Sequence, residues 1–335
     1  MASEAPLLII GQGLAGSLLG WACERAGRAF RVFDAGHDAA ASRVGAGLIN
    51  PLSGPRLAPV WRVADWREPA VAVYRELEHG LGVSLVTEIR IRRRYRAAAE
   101  RARLQPRLAL AEVARWVEAH DEDGLWIRGG VQVETARLIA ALRERWRARG
   151  WLVEQRIAPG RPAASVLAEH GAGAMVWCTG AAESPLEFAE VPWQRAKGEL
   201  LVGRLAGLEP GVLLNDGQWV LPGSHETARV GATFNRDDLG LQPTEEARTQ
   251  LIAAAQRLSG NALELLGHEV GCRVTAPDRR PVVGWAKHDS RVGLFSGLGS
   301  KGALWAPVLA RQWVAAAAGS GSIDPEADIR RFDQG

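Results

Sequence analysis

A chain of 335 residues, 47% apolar and 24% charged, can bury the cores of one to three ordinary globular domains, and this composition excludes intrinsic disorder and fibrous repeats. The formal net charge is only +3, and of the 41 basic residues all but Lys197, Lys287 and Lys301 are arginine, a bias that argues weakly for nucleic-acid binding by itself. Three cysteines, Cys23, Cys178 and Cys272, stand far apart with no C-x-x-C pair, and the seven histidines show no ligand spacing, so neither a disulfide framework nor a metal site is expected.

The first element is LLIIGQGLAGS at 7–17, an apolar strand running through glycines into a helix, followed by a second strand, FRVF, that ends at Asp34. Gly11 permits the sharp turn off the strand, Gly13 lets backbone approach a pyrophosphate, and Gly16 lets the helix pack closely on the sheet. The helix N-terminus, with its unpaired N–H groups and dipole, favours the phosphate charge. Asp34, about 20 residues past the last glycine, suits the hydroxyls of an unphosphorylated ribose. The pattern is that of a dinucleotide cradle. Because the first apolar run belongs to it, neither a leader peptide nor a membrane span is expected, and the expected address is cytoplasmic.

A loop of small residues follows, AASRVGAGLINPLSGPRL, placed to line a cofactor. Helical spacing then appears over 66–82 and 97–119, with a strand over 85–95 between them. Residues 90–107 hold eight arginines and one acid, Glu100: either a solvated strand edge and helix face, or a phosphate-attracting stretch. The segment 129–150 reads as a strand, then Thr135 as N-cap of a helix that ends at Gly150. WLVEQRI at 151–157 and AMVW from 174 read as further strands, the second ending in a small-residue turn. From 186 to 235 short β-like runs alternate with Gly, Pro and Asn, which suits an antiparallel sheet better than a βαβ unit. A helix over 244–258, the strands around VGCRVTAPDRRPVVGW and RVGLFSGL, the turn GSKG and a last helix complete the chain, and the final dozen residues read as a loose tail.

The glycine cradle, the CTGA turn after the middle strand, the R-x-x-x-x-D-x-x-P-V-V-G segment and the C-terminal GLGSKGALWAPVLA together resemble the D-amino-acid oxidase superfamily of flavoproteins, which includes glycine oxidase, sarcosine oxidase and the oxidase half of the tRNA wobble-uridine enzyme MnmC. The G-L-G-S-K-G ending is most similar to that oxidase half, although Lys301 stands where an arginine is usual there, and a fused methyltransferase domain is not expected. The resemblance implies an α/β fold: a Rossmann-type FAD domain with an inserted substrate domain on a mixed or antiparallel sheet. It implies FAD-binding parts over 1–60, 129–185 and 269–335 (the last with the tail), and substrate-domain parts over 61–128 and 186–268.

Carried over motif by motif, the resemblance puts Gly11, Gly13, Leu14, Ala15 and Gly16 around the FAD pyrophosphate and Asp34 on the adenosine ribose. Ser42, Ala46, Gly47, Leu48 and Ile49 fall at the isoalloxazine edge, and Thr179 and Gly180 near the adenosine. Gly297, Leu298, Gly299, Ser300, Lys301 and Gly302 fall at the flavin pyrimidine ring, where donors and positive charge stabilise reduced flavin; the bland alternative is a simple helix start. Arg273 is implied as the clamp on a substrate carboxylate, its alternative being a structural ion pair with Asp278. Cys272 is either a core thiol or a flavin attachment point. His225, Trp61, Trp219 and Trp305 lie near the expected site loops.

The implied reaction is oxidation of the C–N bond of a glycine-type amine, with hydride transfer to flavin N5, imine hydrolysis and reoxidation by O2. Arg273 and Lys301 act as orienting groups. The substrate is left open between a small amino acid, an N-substituted glycine and the carboxymethylaminomethyl group of tRNA, in which case the arginine stretch would contact RNA. Two other readings stay open: a flavin-dependent dehydrogenase or reductase with another electron acceptor, and a non-catalytic flavin-bound protein.

Overall fold

The computed structural model describes residues 5–36, 40–181 and 185–332. Along the chain the elements are β1 (Leu7–Ile10), α1 (Leu14–Arg25), β2 (Phe30–Phe33), α2 (Ala41–Val44), β3 (Leu48–Ile49), β4 (Leu52–Ser53), β5 (Ala58–Pro59), α3 (Val63–Leu81), β6 (Val86–Arg94) and α4 (Ala98–Leu104). They continue as α5 (Ala111–Ala114), β7 (Val117–His120), β8 (Gly124–Val133), α6 (Thr135–Ala148), β9 (Leu152–Val153), α7 (Ala163–Glu169), β10 (Ala174–Trp177), β11 (Gln194–Arg204), β12 (Val212–Asn215) and β13 (Trp219–Pro222). The last are β14 (Thr227–Gly231), α8 (Glu245–Ser259), β15 (Glu264–Thr275), β16 (Val282–Trp285), β17 (Val292–Ser296) and α9 (Gly302–Ala317).

Two main sheets result. A six-stranded sheet runs β16-β17-β10-β1-β2-β9, and its centre, β17-β10-β1-β2, is parallel. All four residues of β1 are buried, as a central parallel strand covered on both faces requires. One face carries the large core in which α1, α3, α6 and α9 meet, and the other a smaller core around Phe33, Trp177 and Phe188. The nine-stranded sheet is ordered β15-β11-β14-β13-β12-β6-β8-β3, with β7 added on β8. Its long ladder, β11 against β15, is antiparallel, and α8 packs on the back of β11, β13 and β14 through Leu251, Ala254, Ala255 and Leu258. The mixed α/β class is the expected one. β8, which opens the second expected FAD-binding stretch, lies in the nine-stranded sheet.

Four local readings are corrected. Residues 97–119 are not one helix but α4, a 3-10 turn over Gln105–Ala109, α5 and β7, because Pro106 lacks the N–H that an uninterrupted helix needs. Thr135 is the first helical residue of α6, and Glu134 is the N-cap; the Thr135 hydroxyl is instead drawn 3.5 Å from the Gly45 carbonyl. Of 151–157 only Leu152–Val153 is strand. The tail is not loose as far as Phe332: Val283 bridges to Asp328, Ala327 and Ile329 are buried, and Arg331 binds Asp278.

Trp146 on α6 is wholly buried, edge-on to Phe30 with ring centroids 5.5 Å apart, and its indole N–H donates to Glu24 at 3.1 Å. Gly20 on α1 leaves the space its ring occupies. Trp146→Ala should therefore cost about 3–5 kcal/mol of stability in chemical denaturation; a cost under about 1 kcal/mol would show that the α1–α6 packing is not what holds this face of the sheet.

Candidate active site

The β1–α1 turn is built by close approach. Gly11 has φ +101°, and a side chain there would lie 2.8 Å from the Cys178 carbonyl oxygen; a side chain on Gly16 would collide with the Gly11 carbonyl. Leu14 and Ala15, both buried, begin α1, and no side chain caps it, so the donors of its first turn are left for an anion. Thr179 and Gly180 follow β10, and the Thr179 Cα is 3.3 Å from where a Gly11 side chain would begin. The turn after β1 is thus packed directly against the turn after β10.

Asp34 is buried at the end of β2. Its carboxylate accepts from the backbone N–H of Gln12 and of Gly36, both at 2.7 Å, and from the Arg143 guanidinium at 2.9 Å. Arg143, on α6, also donates to the Gln12 side chain at 2.9 Å. A cavity of about 280 Å3 opens beside them, lined by Gln12, Asp34, Arg43, Ile139, Arg143 and Arg147. Sequence reading found Asp34 but not Arg143, which lies on another element 109 residues away.

The small-residue loop reaches from this cradle to the nine-stranded sheet. The Ser42 hydroxyl is 3.2 Å from where a Gly13 side chain would sit, and Ala40 bridges to Cys272 on β15. Ala46 is buried, Gly47 accepts from the Val133 N–H at 3.0 Å, and Leu48 and Ile49 pair with Gln132 and Val131 of β8. The Arg229 guanidinium holds the loop by donating to the carbonyls of Val44 and Gly45 and pairs with Glu269 at 3.2 Å.

Arg273 lies on β15 opposite Ala196 of β11. Its guanidinium lies over Gly198, where any side chain would collide with it, and donates to the Thr233 carbonyl at 3.2 Å. No carboxylate faces it among the described residues. The alternative of an ion pair with Asp278 is ruled out, since that carboxylate is bound by Arg331 at 2.9 Å. The turn Gly297–Gly302 is docked on the same strand through the Gly299 N–H, which donates to the Val274 carbonyl at 3.0 Å. Leu298 and Gly299 are half-buried and Ser300 exposed, while Lys301 stands at the N-cap of α9, within electrostatic reach of Arg273. Cys272, half-buried, has its thiol pushed up by burial.

Other candidates are placed elsewhere. His225 sits exposed in the tight turn between β13 and β14. Trp61 and Trp305 are structural: the Trp305 indole donates to the Trp61 carbonyl at 3.0 Å, and Trp61 donates to Glu326 at 2.9 Å. Trp219 packs over Gly231. In the arginine stretch, Arg90 binds Glu118, Arg92 binds Asp121, Arg93 and Arg103 face Glu100, and Arg96 faces Asp216. Arg90 and Arg92 also stack on Trp126. These internal pairs favour the bland reading of that stretch. No group of residues suited to a metal ion occurs among the described residues, and no helix there is long and apolar enough to cross a membrane.

Gly198 and Thr233 were missed in the sequence, as was a buried polar cluster behind them. Lys197 Nζ donates to Asp238 and to the Gln242 carbonyl, each at 2.7 Å; Glu199 accepts from the Thr244 hydroxyl and N–H at 2.8 Å and faces His268 at 2.9 Å. Alternation along β11 puts Ala196 and Gly198 on the Arg273 face and Lys197 and Glu199 on the other.

The fold is shared with solved proteins of low sequence identity. Glycine oxidase from Geobacillus kaustophilus superposes with a TM-score of 0.78 at 18% identity, covering 99% of this chain and 98% of that one. Iminodiacetate oxidase from Chelativorans sp. BNC1 gives 0.74 at 18% identity, covering 97% and 98%. In sequence, the bifunctional tRNA 5-methylaminomethyl-2-thiouridine biosynthesis protein MnmC of Caulobacter vibrioides is 28% identical over 92% of this chain and 54% of its own length. That of Idiomarina loihiensis is 40% identical over 85 residues, 24% of this chain and 14% of its own. The chain thus spans about half of the first relative and a smaller part of the second. The model of the FAD dependent oxidoreductase family, DAO, matches residues 7–317, and the unhindered Gly11–Gly16 turn, the uncapped α1 and the buried Asp34 fit that cofactor: the chain belongs to the FAD-dependent oxidoreductases of the DAO family.

Proposed function

We propose that this oxidoreductase oxidises the C–N bond of a glycine-type amine, an amino acid or N-substituted glycine, whose carboxylate is bound by Arg273. The observation that carries this reading is the Arg273 guanidinium itself: largely enclosed, laid over Gly198, bonded to the Thr233 carbonyl and faced by no carboxylate among the described residues. An enclosed cation without a counter-ion is costly, and a bidentate carboxylate is the partner its planar fork fits. In this reading Gly198 keeps the guanidinium flat against the sheet and the Thr233 carbonyl fixes its rotation. Lys301 adds a second positive charge from the α9 side.

FAD supplies a two-electron oxidant for the substrate carbon. Gly11, Gly13, Leu14, Ala15 and Gly16 would hold its pyrophosphate and Asp34 the ribose, with Thr179 and Gly180 on the adenosine side. Ser42, Ala46, Gly47, Leu48 and Ile49 would line the ring edge, and Gly297–Gly302 the pyrimidine side. The six-stranded sheet then serves as the FAD-binding unit and most of the nine-stranded sheet as the substrate unit. The neutral substrate amine would give up a hydride from its carbon and become an iminium ion, which water cleaves to a carbonyl and an ammonium; the hydride, joined by one proton from water, would be passed to O2 as hydrogen peroxide. No side-chain base is needed if the amine binds neutral.

The similarity over 92% of the chain to a tRNA-modifying protein favours a second form of the same reading, in which the amine is the carboxymethylaminomethyl group of a tRNA uridine, itself an N-substituted glycine. Because Arg92 and Arg93 are engaged internally, any RNA contact in the arginine stretch falls to exposed residues such as Arg94 and Arg101.

Arg273→Met should keep the FAD spectrum but raise KM for glycine-type substrates by about 100-fold, since a charge-assisted clamp is worth roughly 2–5 kcal/mol; unchanged steady-state KM would remove Arg273 from substrate binding. Burial first, then Arg273, push the Lys301 ammonium from 10.5 down to about 8. With its folded pKa below the unfolded one, the unfolded chain holds more protons between those values, so the cost of the charge is full below about pH 8 and is relieved as pH rises toward 10.5. Lys301→Met should therefore be more stable than the unsubstituted protein near pH 7, as about pH 7 lies below that window. The gap should shrink as pH is raised above about 8 in denaturation series of the apoprotein; a gap independent of pH would contradict the assignment.

A further inference from the structure

We propose that Phe234 and Arg236 form the specificity wall of this site and receive a flat aromatic ring carried on the nitrogen of the amine substrate; the inference rests on the glycine-type reading above and deepens it. The segment after β14 runs on beside β11 through an isolated bridge rather than as a regular strand: the Thr233 N–H donates to the Glu199 carbonyl at 3.1 Å, and Lys197 and Asn235 exchange both backbone hydrogen bonds at 2.7 and 3.0 Å. Residues directly opposite in an antiparallel pair share a face. Asn235 therefore lies on the Lys197 side, and Phe234 is turned to the opposite face, that of Ala196, Gly198 and Arg273.

Phe234 directly follows the residue whose carbonyl holds the Arg273 guanidinium. It is 63% exposed, a large apolar ring left without a cover on the face where the substrate carboxylate would bind. The Arg236 guanidinium is already stacked on it, 5.4 Å from the ring centroid. An aliphatic substituent would gain only apolar area from such a surface, whereas an aromatic ring also gains offset stacking on Phe234 and a cation–π contact with Arg236.

The wall is held firmly enough to select. Lys197, wholly buried, ties the far side of the segment to Asp238 and to the Gln242 carbonyl, and the Asn235 side chain accepts from the N–H groups of Asp237 and Asp238 at 2.8 and 3.1 Å. The ring is thus presented from a segment anchored on both sides of Asn235.

The test compares kcat/KM of the holoenzyme for N-benzylglycine and for sarcosine, which share the glycine unit and differ in the ring. The unsubstituted enzyme should favour N-benzylglycine, and Phe234→Ala should lower the ratio about tenfold, through KM, as expected for loss of one stacked ring. Phe234→Tyr should restore the ratio and Arg236→Ala reduce it in part. If sarcosine is oxidised but the unsubstituted enzyme shows no preference for the ring, or Phe234→Ala leaves the ratio unchanged, the specificity wall is overturned while the glycine-type reading stands. If neither amine reduces the flavin, the small-amine form of the glycine-type reading falls and this inference with it.

Discussion

The site depends on one enclosed positive charge. Arg273 projects from the β15 ladder onto a position of β11 where only glycine leaves room, and the Thr233 carbonyl gives it a partial partner that cannot neutralise it. Elsewhere the protein pairs its arginines freely: Arg143 with Asp34, Arg145 with Glu24, Arg93 with Glu100, Arg331 with Asp278. Against that habit, a guanidinium held in place and faced by no acid among the described residues supports the proposed role of Arg273 as a clamp for an anion brought by the substrate.

The two sheets divide the work of holding that charge beside the cofactor cradle. The parallel sheet brings the turns after β1 and β10 together around Gly11, and α1 and α9 lie side by side on one of its faces. The turn that begins α9 then reaches across to β15 through the Gly299 N–H, which sets Lys301 at the start of α9 within electrostatic reach of Arg273 on β15. Behind β11, the buried Lys197 and Glu199 are satisfied by one another, by the half-exposed Asp238 carboxylate and by the loop and helix start they bind, which buried polar groups must be if they are to stiffen rather than weaken a sheet.

What the sequence made legible was whatever follows from local pattern. The cradle from Leu7 to Asp34, the strand ending at Trp177 and the GSKG turn each carry their glycines and apolar runs within a few residues, and they were read correctly as elements. Arg273 was legible through family resemblance rather than through spacing, being one arginine among many. Its supports were not legible at all: Gly198 looks like any strand glycine, Thr233 acts through its backbone carbonyl, and Arg143 reaches Asp34 from 109 residues away. The misread helix over 97–119 has a local cause, Pro106, that was visible but outweighed by apolar spacing. The misread tail has a nonlocal one, since Asp328 bridges to Val283 and Arg331 binds Asp278, contacts with residues far back in the chain.

The most direct test of the account is an anaerobic titration of the FAD-loaded protein followed in the visible spectrum, adding glycine, sarcosine and D-alanine in turn, with Arg273→Met in parallel. The account predicts that a glycine-type amine bleaches the flavin bands of the unsubstituted protein, and that the variant needs far more of the same amine. A flavin that no carboxylate-bearing amine bleaches, or one that bleaches equally in the variant, would contradict it.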